Sequence, residues 1–285
     1  MTAVLAVDLG GTKTTTALVD SSGRVSSRIK RAAEHSVDAV AEQIVSAAHD
    51  ADAVGIIVPG IYNRHTGMAW APNLWGWDEV PLRDKLSALP VPVTIDSDRS
   101  GYVLGEQWLG AAQGLRDVVF VAVGTGIGIG ILSDGRVIGG AHGIAGAAGW
   151  FALDPRWRDE YARTGCWESE AAGPAVARLA GVASAEEAAT NARNGETTAL
   201  AAFEHAANYL AMGIANLISL LNPEMVVLGG GLMQASDLLL DRIRAEVPRW
   251  AQPVAARKVA IELTTLGEDA GLLGAARLAY LSQES

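Results

Sequence analysis

The pattern of apolar and polar positions predicts short strands in the first part of the chain, joined by turns rich in glycine and serine. Residues 1–19 form an apolar strand, a turn at Gly10 and Gly11, and a second, threonine-rich strand. Apolar residues at helical spacing in 36–51 predict an amphipathic helix with Ser36 near its N-cap. Further strands are predicted at 24–32, 53–58 and 93–96, and a further helix at 100–109.

The second part of the chain repeats this order. Strands are predicted at 117–123, 129–133, 136–138, 225–228 and 259–263, and helices at 197–221, 238–247 and 271–281. Two copies of one β-meander-plus-α/β layout indicate an internal duplication. We therefore expect an α/β protein with two domains, residues 1–108 and 109–270. Residues 271–285 would pack back on the first domain, and a ligand cleft would lie between the two.

Composition and charge exclude several classes of protein. The 285 residues are 49% hydrophobic and 19% charged, which argues against disorder. The 22 basic and 32 acidic residues give a net charge of −10, so we expect no nucleic-acid partner. The single Cys166 allows no intrachain disulfide and no multi-cysteine zinc site. With neither a membrane-spanning stretch nor a signal peptide in the sequence, we expect a cytoplasmic protein with no membrane partner.

Two glycine turns between strands are candidate phosphate-binding sites. Gly10-Gly11-Thr12-Lys13 leaves backbone N–H groups accessible to an anion, and Gly124-Thr125-Gly126 occupies the same place in the second copy. Either turn alone is as well explained by an ordinary β-hairpin, but equivalent turns in both copies favour a polyphosphate site. Gly229-Gly230-Gly231 follows an apolar strand and leaves room for a purine and ribose. Asp8, at a strand end, is placed to hold a hydrated Mg²⁺.

These motifs resemble those of the ROK family, which contains sugar kinases of the actin/hexokinase fold and sugar-responsive repressors. Asp8 to Lys13, Gly124 to Gly128 and Leu228 to Gly231 are similar to its three nucleotide motifs. The resemblance runs over nearly the whole chain. It continues, in order, through Pro59-Gly60, residues 72–77, Gly105-Glu106, residues 143–146 and residues 267–276.

The resemblance implies two actin-like (ribonuclease H-like) domains, ATP and Mg²⁺ as cofactors, a sugar acceptor and a homodimer. Transfer of a phosphoryl group to a sugar hydroxyl needs a carboxylate that accepts the hydroxyl proton. Asp98 stands where the family has its catalytic aspartate, with Asp96 as the nearby rival and a helix N-cap as the alternative role. The implied sugar-binding residues are Gly60, Asn73, Ser97, Asp98, His142, Trp150 and Glu168.

The chain departs from the family pattern in the acceptor pocket. Ser97 replaces an asparagine, and Ala147 and Trp150 replace the glutamate and histidine that hold sugar hydroxyls in the family. The family's zinc-binding cysteines are absent except for Cys166, so no structural zinc is expected. Arg156, Arg158 and Asp159 replace that segment with what looks like a solvated loop, and Arg99 is expected to be solvated as well. Tryptophans expected to border the acceptor site, or else to fill the core, are Trp70, Trp75, Trp77, Trp150 and Trp167.

These departures predict an acceptor other than plain glucose, such as a deoxy or amino hexose of the kanosamine kind or a related polyol. Three alternatives stay open: a plain glucose or glucomannose kinase, a sugar sensor without activity, and a kinase that uses polyphosphate. A repressor of this family would carry a helix-turn-helix before the first phosphate turn. Because seven residues precede Asp8, we do not expect one here.

Overall fold

A computed structural model describes residues 3–284. Met1 and Ser285, which bound the first predicted strand and the C-terminal segment, lie outside the described residues. The strands are β1 (Ala3–Leu9), β2 (Lys13–Asp20), β3 (Val25–Ala32), β4 (Ala53–Val58), β5 (Ile61–Tyr62), β6 (Ala69–Trp70), β7 (Val93–Ser97), β8 (Val118–Val123), β9 (Ile127–Ser133), β10 (Arg136–Val137), β11 (Met225–Gly229) and β12 (Ala260–Leu263).

The helices alternate with these strands in both halves of the chain, and short 3-10 turns lie at Ala148–Trp150, Gly231–Ala235 and Gly267–Asp269. The α-helices are α1 (Val37–Ala47), α2 (Pro72–Trp75), α3 (Leu82–Lys85), α4 (Asp98–Leu109), α5 (Tyr161–Thr164), α6 (Cys166–Ala171), α7 (Gly173–Ala180), α8 (Ala185–Arg193), α9 (Thr197–Leu221), α10 (Ser236–Trp250), α11 (Pro253–Ala256) and α12 (Ala270–Glu284). None of the helices described is long and apolar enough to cross a membrane.

The chain forms two compact units. The first contains the residues up to Gly114, Val137–Ala145 and the residues from Thr265 onward, and the second contains Leu115–Arg136 and Gly146–Thr264. Segments 109–114, 137–145 and 265–270 thus lie with the first unit, although the prediction assigned them to the second domain. The second of these segments packs closely on β5, because a Cβ atom at Gly143 would lie 2.7 Å from the carbonyl oxygen of Tyr62.

The first unit has a five-stranded sheet of order β3-β2-β1-β4-β7. Strands β1, β2 and β3 form the predicted antiparallel meander, whereas β1, β4 and β7 run parallel. All six residues of β4 are buried, as expected for a central strand covered on both faces, and β3 is an exposed, polar edge strand. The carboxyl ends of the parallel strands therefore lie at one edge of the sheet.

Helix α12 covers one face of this sheet and crosses α4 at very short range. Leu272, Ala275 and Ala276 are buried with Val4 and Ile57 of the sheet. At the crossing with α4 the contacting residues are glycines. A Cβ atom at Gly274 would clash with the backbone of Gly101, and one at Gly105 would lie 2.5 Å from the carbonyl oxygen of Ala270. Glycine is required here because the two backbones touch.

The second unit repeats the layout with a sheet of order β10-β9-β8-β11-β12. Helix α9 spans the residues predicted for it and buries Phe203, Leu210 and Ile214 in the core of this unit. The third strand of the repeat ends at Val137, so Ile138 lies outside it. Helix α4 begins at Asp98, two residues earlier than predicted, because Ser97 already has the extended backbone of an N-cap residue.

Candidate active site

Three acidic residues lie where the parallel strands of the first unit end. Asp8 is the penultimate residue of β1, Asp96 lies near the end of β7, and Asp98 opens α4 directly after β7. Asp8 is level with Ile57 of β4, which is in turn level with Asp96, so Asp8 and Asp96 are two strands or about 10 Å apart. The fold thus brings carboxylates from distant parts of the sequence to one edge of the sheet, a position that favours ligand binding.

Asp98 has one carboxylate oxygen held by the protein and one left open. Its Oδ1 accepts a hydrogen bond from the backbone N–H of Arg99 at 2.8 Å and lies 3.2 Å from the Ser97 hydroxyl. No hydrogen bond within residues 3–284 involves Oδ2. Burial raises the pKa of Asp98 to about 6, against the opposing effects of the Arg99 charge and these two hydrogen bonds. Such a carboxyl is still mostly ionised at neutral pH, and it binds a proton more readily than an ordinary aspartate does.

The rival carboxylate, Asp96, is fully engaged. Its Oδ1 accepts the N–H of Ser97 at 2.8 Å, and its Oδ2 forms an ion pair with Arg64, from the loop between β5 and β6. The side chain is also buried. This geometry favours Asp98 over Asp96 as a group that exchanges protons with a ligand.

Asp8 is a carboxylate without a partner. Within the described chain no hydrogen bond or ion pair holds it, and its Oδ2 occupies space that is free because residue 271 is glycine: a Cβ atom there would lie 2.5 Å away. Burial and then the charge of Asp98 raise the pKa of Asp8 to about 7, while the Lys30 ammonium acts in the opposite direction. An unpaired, crowded carboxylate of this kind suits a divalent cation, whose charge would stabilise the ionised form.

Tyr102 is a residue that the sequence analysis missed. Burial, followed by the charges of Asp98 and Asp8, raises the pKa of its phenol well above the ordinary value, so the phenol stays protonated beside the two acids. Its spacing of four residues from Asp98 on α4 puts the two side chains on the same helix face, and that spacing was visible in the sequence.

Because its pKa is raised, the ionised form of Asp8 destabilises the fold. Between pH 4 and pH 7, Asp8 is ionised in the unfolded chain but still protonated in the folded protein, so stability falls as the pH rises. Above pH 7 Asp8 is ionised in both states, and its buried charge lowers the free energy of unfolding by at most about 4 kcal/mol. We expect Asp8→Asn to raise Tm by several degrees at pH 8, with the gain shrinking as the pH falls to 4. Asp20→Asn is the control, since hydrogen bonds lower the pKa of Asp20 and its loss should reduce Tm at pH 8. An equal gain for Asp8→Asn at both pH values would contradict this assignment.

Arg99 and Ser97 are built into the protein rather than solvated. Arg99 donates from Nε to the Ser97 hydroxyl at 3.0 Å, from Nη2 to the Gly60 carbonyl at 3.3 Å and from Nη1 to the Ile144 carbonyl at 3.5 Å. Ser97 Oγ lies 2.8 Å from the Gly60 carbonyl. The expectation of a solvated Arg99 is therefore wrong: its guanidinium joins three segments around Asp98. The Ser97 hydroxyl and the Gly60 carbonyl are thus bound to this arginine and to each other, and the hydroxyl also contacts Asp98.

The predicted first phosphate turn is a tight connection between β1 and β2. The N–H of Gly10 donates to the carbonyl of Lys13 at 2.9 Å, and Thr12 and Lys13 are exposed. Asn73 lies against this turn, since its Cβ would be 3.3 Å from a Cβ placed on Gly11. His142 is in the same unit, exposed in segment 137–145. The first unit thus carries Asp8, Gly10, Gly11, Thr12, Lys13, Gly60, Asn73, Ser97, Asp98 and His142.

In the second unit the other two glycine motifs meet at the carboxyl ends of the parallel strands β8 and β11. A Cβ atom on Gly124 would lie 3.7 Å from the backbone nitrogen of Gly231. The glycines of the third motif differ in role. A Cβ atom at Gly229 would clash with the ring of Phe120, whereas Gly230 has φ +91° and packs on Val123. Nothing lies within 4 Å of a Cβ on Gly231, which leaves that space free for a ligand.

This difference makes a testable pair of variants. We expect Gly231→Ala to leave Tm unchanged and to raise the KM for ATP several-fold, because the added methyl group would occupy ligand space. Gly229→Ala should lower the stability by about 1–3 kcal/mol through overpacking against Phe120. Thermal melts and ATP saturation curves test both. An unchanged KM in Gly231→Ala would remove this glycine from the nucleotide site.

Glu168 lies against Gly149, the residue before Trp150, in the second unit. Glu168 Oε2 accepts the N–H of Ile127 at 2.8 Å, beside the Gly126 turn, and would lie 2.9 Å from a Cβ on Gly149. Burial raises the pKa of Glu168, against the effect of that hydrogen bond. Trp150, the next residue along, is 57% exposed. Trp167 was a candidate for the acceptor site, but it is fully buried against Gly213 and stacks on Phe151.

The segment expected to be a solvated loop takes part in a buried polar cluster. Arg158 pairs with Glu170, which is 2% exposed and which also binds the Tyr161 hydroxyl and, at 2.8 Å, His205 Nε2. Arg156, Arg158 and Asp159 are all exposed, as expected for a solvated loop, but the half-exposed Arg158 side chain also reaches this buried acid. Within residues 3–284 no group of three or more His, Cys, Asp or Glu side chains is placed to bind a metal. The polar cluster anchors α6, the helix that carries Glu168.

Comparison with known proteins identifies the family. The family model described as ROK family matches residues 4–281. The chain belongs to the ROK family. Its two α/β units, each with a five-stranded sheet of the same order, correspond to the two actin-like domains of ROK kinases.

Relatives of this ROK protein include kinases for different sugars. The glucokinase of Halalkalibacterium halodurans is 33% identical and covers 81% of this chain and 77% of its own length. The N-acetylmannosamine kinase of Citrobacter koseri is also 33% identical, over 96% and 98% of the two chains. The crystal structure of a ROK family glucokinase from Streptomyces griseus with glucose and AMPPNP is 30% identical. It has a TM-score of 0.82 and covers 98% of this chain and 99% of its own. The protein is an ATP-dependent sugar kinase of this family.

Proposed function

We propose that this ROK kinase phosphorylates a hydroxyl group of a modified hexose, such as an amino or deoxy sugar, with Asp98 as the general base. The observation that carries the proposal is the state of Asp98. One of its oxygens is fixed by Arg99 and Ser97, the other is open, and its pKa is about 6. A base of this kind is mostly deprotonated at pH 7 and can accept a proton during the reaction.

The proposed reaction transfers the γ-phosphoryl group of ATP to the acceptor hydroxyl group. The acceptor hydroxyl oxygen forms a bond to the γ-phosphorus of ATP, and the bond from that phosphorus to the β–γ bridging oxygen breaks. The hydroxyl proton moves to Asp98 Oδ2, and ADP leaves. Arg99 keeps Asp98 in position by donating its backbone N–H to Oδ1 and by fixing the neighbouring carbonyl of Gly60.

The glycine motifs and Asp8 fit the nucleotide and its metal ion. In the first unit, the Gly10–Lys13 turn has backbone donors for phosphate oxygens apart from the N–H of Gly10, which is bonded within the turn. In the second unit, the same holds for the Gly124–Gly126 turn apart from the N–H of Gly124, and the space at Gly231 is open. Asp8 is a hard oxygen ligand that no other residue in 3–284 binds, which suits Mg²⁺ held through water. When bound, the metal ion would neutralise charge on the transferring phosphoryl group.

The acceptor pocket would differ from one built for glucose. Ala147 offers no side-chain hydrogen bond, and Trp150 is an exposed aromatic residue that follows Gly149, which lies against Glu168. The Oε1 atom of Glu168 has no hydrogen-bond partner within the described chain. Asn73, Ser97, His142 and Gly60 complete the proposed set on the first unit. An aromatic face and few donors favour a sugar that lacks or replaces a hydroxyl group. The glucokinase relative makes plain glucose the competing acceptor.

A coupled assay of ADP release tests the proposal. Mg-ATP is supplied with a panel of hexoses, amino sugars, deoxy sugars and polyols, and kcat/KM is compared. We expect a modified hexose to give the highest value. The highest value on unmodified glucose would instead identify a glucokinase. No turnover on any sugar, with sugar binding still seen by calorimetry, would indicate a sensor. Gel filtration tests the homodimer that we also propose.

A further inference from the structure

A groove of about 370 Å³ lies in the first unit, and of its lining residues His142 alone belongs to the set proposed to bind the acceptor. One wall comes from β5 and β6, through Ile61 and Trp70. The other comes from segment 137–145, through His142 and Ile144, and Glu79 lies at its rim. Its volume is at the lower end of the range for ligand pockets, about 300–1,000 Å³, which suits a single sugar ring.

The groove begins next to the proposed base. Ile61 directly follows Gly60, whose carbonyl accepts hydrogen bonds from Ser97 and Arg99. On the opposite wall, the carbonyl oxygen of Ile144 accepts a hydrogen bond from the other terminal nitrogen of Arg99. Arg99 therefore links Gly60, the neighbour of Ile61, to Ile144, and its backbone N–H binds Asp98. A ligand group in the groove would adjoin whatever reacts at Asp98.

The groove has the chemistry of a site for an uncharged sugar ring. Trp70 is fixed by a hydrogen bond of 3.1 Å from its Nε1 to the Trp77 carbonyl, so its polar edge is already used and its ring is the part left for a ligand. Trp77 packs on it with ring centres 5.7 Å apart, and is 80% exposed. Among the residues that line the groove, none is Lys or Arg. Glu79 would repel an anionic substituent, and it would accept hydrogen bonds from sugar hydroxyls, as would the His142 ring.

We propose that this groove binds a second, uncharged pyranose ring, and that the preferred acceptor is a disaccharide whose first ring is phosphorylated beside Asp98. The inference rests on the proposed function. The apolar face of the second ring would stack on Trp70, and its hydroxyl groups would face Glu79 and His142. A purely hydrocarbon substituent would bury these polar groups without a partner, so it would be a poorer match.

The test compares kcat/KM for a monosaccharide that the enzyme accepts with kcat/KM for its neutral disaccharides, and uses the ratio as the readout. We expect the wild type to favour a disaccharide by about tenfold or more, and Trp70→Leu to abolish that preference. Trp250→Leu is the matched control, since Trp250 is 57% exposed on α10 of the second unit and should leave the ratio unchanged. Glu79→Ala provides a second variant on an exposed position, with the same expected direction as Trp70→Leu.

Calorimetry on the Asp98→Asn variant measures disaccharide binding without turnover. We expect tighter binding of the disaccharide than of the monosaccharide, and loss of that difference when Trp70→Leu is added. A wild type that turns over the monosaccharide but shows no disaccharide preference overturns the groove proposal alone. The same holds if Trp70→Leu lowers both rates equally. Absence of turnover on every sugar contradicts the proposed function instead.

Discussion

Asp98→Asn is expected to lower kcat for sugar-dependent ADP release by about 10²–10⁴-fold. The amide keeps an oxygen that accepts the N–H of Arg99, so the helix start and the Ser97 contact should persist. What is lost is the ability to take the hydroxyl proton. The KM for ATP should therefore stay close to the wild-type value, and kcat should carry the change. Tm should not fall, and at pH 8 it should rise, because burial raises the pKa of Asp98 and the amide removes that buried charge.

Asp96→Asn is the matched control for this experiment, because Asp96 is the rival acid two residues earlier. Its side chain is tied to Arg64 and to the N–H of Ser97, and the amide can still accept the latter bond. We expect its effect on kcat to be far smaller than that of Asp98→Asn. If Asp96→Asn turned out to be the more damaging change, the two roles would have to be exchanged.

The pH profile gives an independent view of the same group. With the pKa of Asp98 raised to about 6 and that of Asp8 to about 7, kcat/KM should fall as the pH drops through this range. The two acids repel each other, so the profile reports on the pair rather than on either alone. An acid limb near pH 4, where an ordinary aspartate titrates, would contradict the environment described for Asp98.

Gly274→Ala is expected to destabilise the first unit by about 3 kcal/mol or more. Its Cβ atom would meet the backbone of Gly101 on α4, and neither helix backbone can move aside without opening the face of the sheet that α12 covers. The displacement would also shift Gly271, which leaves space for Asp8. Denaturant unfolding checks the loss, and Gly139→Ala is the control because nothing lies within 4 Å of its added methyl group. Equal stability of the two variants would show that the helices separate easily.

The repeated strands and the long helix could be predicted because each keeps one apolar pattern over its whole length. All residues of β4 are buried, and α9 keeps its apolar spacing over 25 residues, so local pattern and tertiary packing agree. Strands β5 and β6 have two residues each and carry no periodicity. Their pairing with each other is seen in the structure alone, and the sequence therefore did not predict the groove that they line.

The site was predictable where one motif carries it and unpredictable where several segments meet. Asp98 and the glycine turns stand in recognisable local patterns. The role of Arg99 could not be predicted, because its partners Gly60 and Ile144 are far from it in sequence. The same applies to Arg158, a loop residue that pairs with the buried Glu170 on α6. Long side chains at element ends find partners that depend on the tertiary fold, and their composition alone suggests exposure.

The closure of the first sheet by α12 has a consequence for synthesis on the ribosome. The second unit ends at Thr264, so all of its sequence has been made before α12 has emerged. Until then, the face of the first sheet that Leu272, Ala275 and Ala276 cover is open, and Asp8 lacks its neighbour Gly271. Domains usually fold in the order of their synthesis. Here the first unit begins to be synthesised first but can complete its fold only last. A nascent chain should therefore bring Asp8 and Asp98 into their final surroundings, and gain any kinase activity, only after residues 270–284 are free to dock.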